Sequence, residues 1–87
     1  MTHHEVHARL IDIITELDRR IPPERLLADE VSFAQRGLDS LTMIRLVVTL
    51  EEEFDIGISE TEIYDASNMA RLLDLVSAKL LDRSLAA

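Results

Sequence analysis

Residues 37–54 read GLDSLTMIRLVVTLEEEF, and this stretch decides the fold. It joins a polar loop to a segment in which apolar residues recur at helical spacing. Asp39 and Ser40 both favour the N-cap position, so the pattern predicts a helix that begins at one of them and runs to about Phe54. The predicted buried stripe of this helix consists of Met43, Leu46, Val47, Leu50 and Phe54. Ser40 is therefore a small nucleophile at the start of a helix and the first candidate for a functional residue.

Three more apolar residues of this helix, Leu41, Ile44 and Val48, fall outside the centre of the buried stripe, on the flank that carries Ser40. A helix with one buried stripe is usually polar there, so we expect an exposed apolar rim beside the serine. Such a rim could seat a partner enzyme or a prosthetic arm. The alternative is that the preceding loop simply covers Ile44 and Val48.

Another helix is predicted near the N-terminus, because apolar residues recur there at three- and four-residue steps. Pro22-Pro23 should end this helix, which puts Ile21 near or past its last turn. The stripe consists of Val6, Leu10, Ile13, Ile14, Leu17 and Ile21. From Pro22 to Asp39 we expect a long, mostly irregular loop with at most one short turn of helix. The contacts expected to pin this loop to the helices are made by Leu26, Phe33 and Leu38.

Two more helices are predicted after Phe54. Gly57 can supply a positive backbone angle, and Ser59-Glu60-Thr61-Glu62 fits a capping box for a short helix through about Tyr64. Ser67 or Asn68 can cap the last helix. The buried stripe of that helix consists of Met69, Leu72, Leu73, Val76 and Leu80.

The expected fold is all-α: a four-helix bundle with three longer helices, a short third helix and a long loop between the first and second. We expect one domain, 1–87, with frayed ends at about 1–4 and 82–87.

Composition excludes several function classes. The 87 residues carry 17 acidic and 9 basic side chains, so a net charge of -8 disfavours nucleic acid and anionic membranes as partners. The chain has no cysteine, so any thiol chemistry must be imported. Without a signal-peptide pattern or a long apolar run, we expect a cytoplasmic monomer.

Histidines are poorly placed to activate Ser40. All three, His3, His4 and His7, lie near the N-terminus, whereas a serine hydrolase needs a histidine beside its nucleophile. His3 and His7 could share a helix face, but two imidazoles at a chain end make a poor metal site. We therefore expect neither an enzyme nor a metal protein.

The motif GLDSL followed by LEEEF at this spacing resembles free-standing members of the acyl carrier and peptidyl carrier protein family. The resemblance implies that Ser40, between Asp39 and Leu41, is esterified by 4'-phosphopantetheine from coenzyme A. The thiol of that arm would carry acyl or aminoacyl groups as thioesters. The implied partners are a phosphopantetheinyl transferase, an acyl- or aminoacyl-loading ligase or adenylation enzyme, and downstream transferase or condensing enzymes.

The expected partner surface surrounds this serine. It consists of Leu38, Leu41, Ile44, Arg45, Val48, Glu51, Ile63 and Tyr64. Carriers of fatty acid synthesis usually have acidic residues where this chain has Thr42 and Arg45, so the resemblance favours a specialised pathway, nonribosomal-peptide or polyketide-like. One alternative is the acyl carrier protein of fatty acid synthesis. An alternative of another class is a small acidic helical adaptor that docks through the rim without a prosthetic group.

Overall fold

The computed structural model describes residues 2–19 and 32–86, apart from the side chains of residues 36 and 84–86. Within this part of the chain there are four α-helices: α1 (His3–Leu17), α2 (Ser40–Phe54), α3 (Glu60–Asp65) and α4 (Met69–Ala86). A 3-10 helix spans Ala34–Arg36. The predicted fold, three longer helices and a short third one, is confirmed. The expectations for Ile21, Pro22-Pro23 and Leu26 lie outside the described residues.

Polar side chains fix where the helices begin. Asp39 Oδ1 accepts the Thr42 N–H at 2.8 Å, so α2 begins at Ser40 as predicted. The predicted capping box of α3 is confirmed, with reciprocal hydrogen bonds between Ser59 and Glu62. For α4 the cap is Asn68, since its Oδ1 accepts the Arg71 N–H at 2.9 Å. These caps set the start of each helix that surrounds Ser40.

Both described ends of the chain are helical where the sequence analysis expects fraying. Thr2 and Glu5 form a second capping box, which allows α1 to begin at His3 where fraying was expected. The last helix continues to Ala86, and Arg83 forms an ion pair with Asp55 at 3.0 Å. The frayed ends remain an expectation from the sequence, and the helical assignment now includes residues 3, 4 and 82–86.

The turn after α2 also differs from the prediction. The residue with a positive backbone angle is Asp55 (φ 54°), whereas Gly57 has none. Asp55 closes the helix because its N–H donates to the Glu51 carbonyl oxygen. Aspartate tolerates the left-handed region better than most residues, so the turn forms two residues earlier than a glycine rule places it.

A single apolar cluster connects the elements. α1 packs against both α2 and α4, and α3 packs against α4. The fully buried side chains include those of Leu10, Ile14, Leu46, Leu50, Met69, Leu72 and Val76. α3 differs from the other helices because none of its six residues is buried. The short helix is held instead by the buried residues on either side of it, Ile58 and Ala66, and by polar contacts.

The described end of the long loop is attached to the start of α4. Phe33 and Leu38 are buried in the core, as the sequence predicts for residues that pin this loop. The Phe33 N–H donates to the Ser67 carbonyl oxygen at 2.8 Å. The predicted short turn of helix is the 3-10 helix that follows Phe33. These contacts bring the loop, α2 and α4 together around one end of the bundle.

Candidate functional site

Ser40 is exposed on the surface as the first residue of α2. The chain reaches it through Gly37, whose positive φ of 87° is readily adopted only by glycine. Past this turn, Leu38 goes into the core, and Asp39 and Ser40 lie at the surface. The local sequence therefore places a hydroxyl at the positive end of a 15-residue helix, where negatively charged groups are favoured.

A groove of about 690 Å³ opens beside Ser40. Its walls come from the loop end at 32–34, the first turns of α2, helix α3 and the start of α4. Most of the lining is apolar, with contributions from Phe33, Leu38, Met43, Ile44, Ile63 and Tyr64. A flexible chain attached to Ser40 would therefore find an apolar surface within reach.

The predicted apolar rim is exposed to solvent. Leu41, Ile44 and Val48 are 58 %, 61 % and 48 % exposed, so the described part of the preceding loop does not cover them. Tyr64 on α3 is 86 % exposed, and Ile63 beside it is half-buried. Since Ile44 also lines the groove, the rim and the groove form one continuous surface next to Ser40.

Comparison with known proteins identifies the family. The family model for the phosphopantetheine attachment site matches residues 8–76, a span that includes Ser40 and all of the groove. The acyl carrier protein of Buchnera aphidicola subsp. Acyrthosiphon pisum (strain Tuc7) is 34 % identical over 79 residues, which cover 90 % of this chain and 96 % of that protein. The chain belongs to the acyl carrier protein family.

Other members of the family match a similar share of the chain. The acyl carrier protein of Cyanidium caldarium is 29 % identical over 84 residues, 97 % of this chain and 96 % of that protein. The mitochondrial acyl carrier protein of Saccharomyces cerevisiae is 28 % identical over 81 residues, but this chain spans only 65 % of its length. Acyl carrier proteins are carriers and not catalysts, and the cofactor is a covalently attached 4'-phosphopantetheine.

The residues around Ser40 fit this cofactor. The attachment needs a hydroxyl that a transferase can reach, and Ser40 is exposed. A phosphodiester there would lie near the N-terminal end of α2, which favours negative charge. The described residues that line the groove include no histidine, so nothing beside Ser40 could act as an imidazole base.

Two of the residues expected on the partner surface have other roles. Leu38 is only 6 % exposed, so it packs in the core and offers little surface to a partner. Glu51 is half-buried, and its Oε2 accepts the Ile58 N–H at 3.1 Å. That carboxylate holds the loop between α2 and α3. Arg45 is exposed on α2, as the sequence analysis expects.

Helix α3 forms the outer wall of the groove and is fixed by one carboxylate. Glu62 accepts the Ser59 N–H at 3.0 Å through Oε1, and its Oε2 lies 2.7 Å from Lys79 Nζ on α4. The Lys79 hydrogen bond first, and then the Ser59 N–H, lower the pKa of Glu62 to about 2. The carboxylate is therefore ionised at neutral pH and ties α3 to α4.

Sequence reasoning did not assign five polar residues to the groove. All five line it, namely Ser32, Glu60, Asp65, Ser67 and Arg71. They come together because the loop end at 32–34, α3 and the start of α4 border the same groove. The one available signal was the charge of Arg71 in the first turn of a helix, where acidic residues are more favourable.

Proposed function

We propose that this protein carries acyl groups as thioesters on a 4'-phosphopantetheine arm attached to Ser40 and presents them to partner enzymes. The observation that supports the proposal is the exposed Ser40 hydroxyl at the start of α2, beside an apolar groove and within the matched family span. When bound, the arm supplies the thiol that the cysteine-free chain lacks.

Attachment requires a second protein. The Ser40 hydroxyl would lose its proton to a base of a phosphopantetheinyl transferase, and its oxygen would form a bond to the phosphorus of coenzyme A's pantetheine phosphate. Adenosine 3',5'-bisphosphate would leave as that bond forms. The chain contributes an accessible oxygen and the favourable end of the α2 dipole. The exposed rim formed by Leu41, Ile44 and Val48 is the proposed docking surface for this and later partners, with Arg45 and Tyr64 at its edges.

A mass measurement tests the attachment. The protein is incubated with coenzyme A, Mg²⁺ and a promiscuous phosphopantetheinyl transferase, and its intact mass is recorded. We expect the wild type to gain one phosphopantetheine, Ser40→Ala to gain none, and Ser67→Ala, which removes another exposed groove serine, to react like the wild type. No gain by the wild type would contradict the proposal and favour the adaptor without a prosthetic group.

We propose that the protein works in specialised metabolism and not in fatty acid synthesis. The proposal is supported by two residues on the outward face of α2, the exposed Arg45 and the half-buried Thr42. The fatty acid carriers that this chain resembles usually have acidic residues at these positions. Fatty acid synthesis is the second candidate, and the relatives' common name favours acyl over aminoacyl cargo. Mass analysis of thioesters on protein purified from its native host decides between them. A ladder of fully saturated fatty acyl groups would contradict the specialised pathway.

The loading and unloading enzymes are proposals of the same kind. An acyl- or aminoacyl-loading ligase or adenylation enzyme would charge the arm, and a transferase or condensing enzyme would discharge it. We also propose a cytoplasmic location, although one relative that matches the chain is named as mitochondrial. Within residues 2–19 and 32–86, no helix combines the length and apolar character that crossing a bilayer requires.

A further inference from the structure

Among the described residues that line the groove beside Ser40, one side chain is basic, that of Arg71. We propose that Arg71 binds an oxyanion in this groove, either the phosphodiester of the arm or a carboxylate on the acyl cargo. The inference rests on the proposed function, because it requires an arm on Ser40. It adds a specificity-determining residue that lies on α4, outside the serine motif and outside the rim.

Most N–H donors of the Arg71 guanidinium are not used within the described part of the chain. Arginine offers five N–H groups, and in the described part of the chain Arg71 uses one of them, in a contact from Nη1 to the Asp65 carbonyl oxygen at 3.5 Å. That distance is at the limit for a hydrogen bond. By comparison, Arg9 and Arg83 form ion pairs with carboxylates at 2.6 Å and 3.0 Å. Arg71 is exposed and keeps most of its hydrogen-bonding capacity.

The position of Arg71 is not explained by the stability of α4. It is the third residue of that helix, where the positive end of the helix dipole disfavours a cation. The cap of α4 is supplied by Asn68, which accepts the backbone N–H of Arg71 and makes no use of its side chain. The remaining structural role of the Arg71 side chain is its contact with the carbonyl oxygen of Asp65, the last residue of α3. At 3.5 Å this contact is long.

Nearby carboxylates restrict where an anion can bind. Asp39, Glu60 and Asp65 also line the groove, so negative charge is favoured only at the α2 N-terminus beside Ser40 and close to the guanidinium. Guanidinium pairs with phosphate and carboxylate through two parallel hydrogen bonds, a geometry that neutral acyl groups cannot offer. The groove would thus accept apolar cargo along its walls and one oxyanion at Arg71.

The test follows the Arg71 Nε–H signal in NMR spectra of ¹⁵N-labelled protein. Four forms are compared: without the arm, with the free arm, and with the arm carrying a butyryl or a succinyl group. The last two acyl groups have the same number of carbon atoms and differ by a terminal carboxylate. A shift between the first two forms identifies the phosphodiester as the anion. A shift that appears only with succinyl identifies the carboxylate. In either case we expect 1 M salt to reduce the shift, since screening weakens an exposed ion contact.

Variants separate binding from structure. Arg71→Gln should abolish the arm-dependent change, measured as the ³¹P signal of the phosphodiester or as the difference between succinyl and butyryl forms, and Arg71→Lys should restore part of it. Arg19→Gln, an exposed arginine outside the groove, should behave like the wild type. An Arg71 signal that is the same in all four forms would overturn the inference. Failure to form the armed protein at all would instead contradict the proposed function.

Discussion

Lys79 and Glu62 join the last two helices across a gap of 2.7 Å between Nζ and Oε2, and this contact sets the position of the groove wall. The same carboxylate caps its own helix through the Ser59 N–H. Because α3 has no fully buried residue, such polar links add to the packing of its half-buried Ile63 and of Ile58 and Ala66 on either side. The groove beside Ser40 is therefore shaped partly by charge.

The first prediction concerns acid. The pKa of Glu62 is lowered from an ordinary value of 4.5 to about 2, so its ionised form stabilises the fold fully above pH 4.5. That contribution should be lost as the pH falls from 4.5 to about 2. Glu62→Gln keeps a cap acceptor but not the charge. In urea unfolding, this variant should have a lower free energy of unfolding than the wild type at pH 6. The difference should vanish near pH 2. A difference that stayed constant across this range would rule out the ion pair as its cause.

The second prediction concerns the loop between α2 and α3. Glu51→Ala leaves the Ile58 N–H without its acceptor in a partly buried place, which should lower the free energy of unfolding by about 1–3 kcal/mol. Glu51→Gln, which retains a carbonyl oxygen, should lose less. The matched control is Glu52→Ala, an exposed neighbour expected to change stability by under about 0.5 kcal/mol. Equal losses for Glu51→Ala and Glu52→Ala in urea unfolding would contradict the role given to Glu51.

The third prediction contrasts two aliphatic residues of α2. Leu50 is fully buried, so Leu50→Ala should cost about 2–5 kcal/mol in unfolding free energy. Val48 is about half exposed, and Val48→Ala should change stability by under about 1 kcal/mol. With the transferase, however, Val48→Ala should raise KM because the rim loses apolar contact area. Unchanged kinetics for Val48→Ala and Ile44→Ala together would remove the rim from the proposed docking surface.

The fourth prediction concerns the cap of α2. Asp39→Ala removes the acceptor for the Thr42 N–H and should cost about 0.5–2 kcal/mol in unfolding free energy. Asp39→Asn and Asp39→Ser can still cap and should lose less. Thermal unfolding monitored by circular dichroism measures all three. If alanine and asparagine proved equally destabilising, the lost charge rather than the lost cap would be responsible.

Local rules were sufficient where sequence and structure agree. The start of α2 at Ser40, the Ser59–Glu62 capping box and the core positions Leu46 and Leu50 follow from capping preferences and helical period. Phe33 was also expected in the core, because a solvated loop has no need of a large aromatic side chain. These features depend on residues within one or two helical turns of each other.

The features that the sequence did not predict depend on contacts across the fold or on competing local options. Asp55 adopts the left-handed conformation that the sequence analysis assigns to Gly57. The helix can end there because the Asp55 N–H donates to the Glu51 carbonyl oxygen. Leu38 was expected both to pin the loop and to lie on the partner surface, and the turn at Gly37 directs it into the core. Arg71 lines the groove because α3 packs on α4, and this packing cannot be predicted from residue spacing in the sequence.

The most direct test of the central claim is to locate the modification on the peptide. After reaction with coenzyme A and the transferase, the protein is digested and fragmented in a mass spectrometer. The account predicts one phosphopantetheine on the peptide that contains Ser40, with fragment ions that assign it to that residue. A phosphopantetheine found on Ser32 or Ser67, or a chain that remains unmodified, would contradict it.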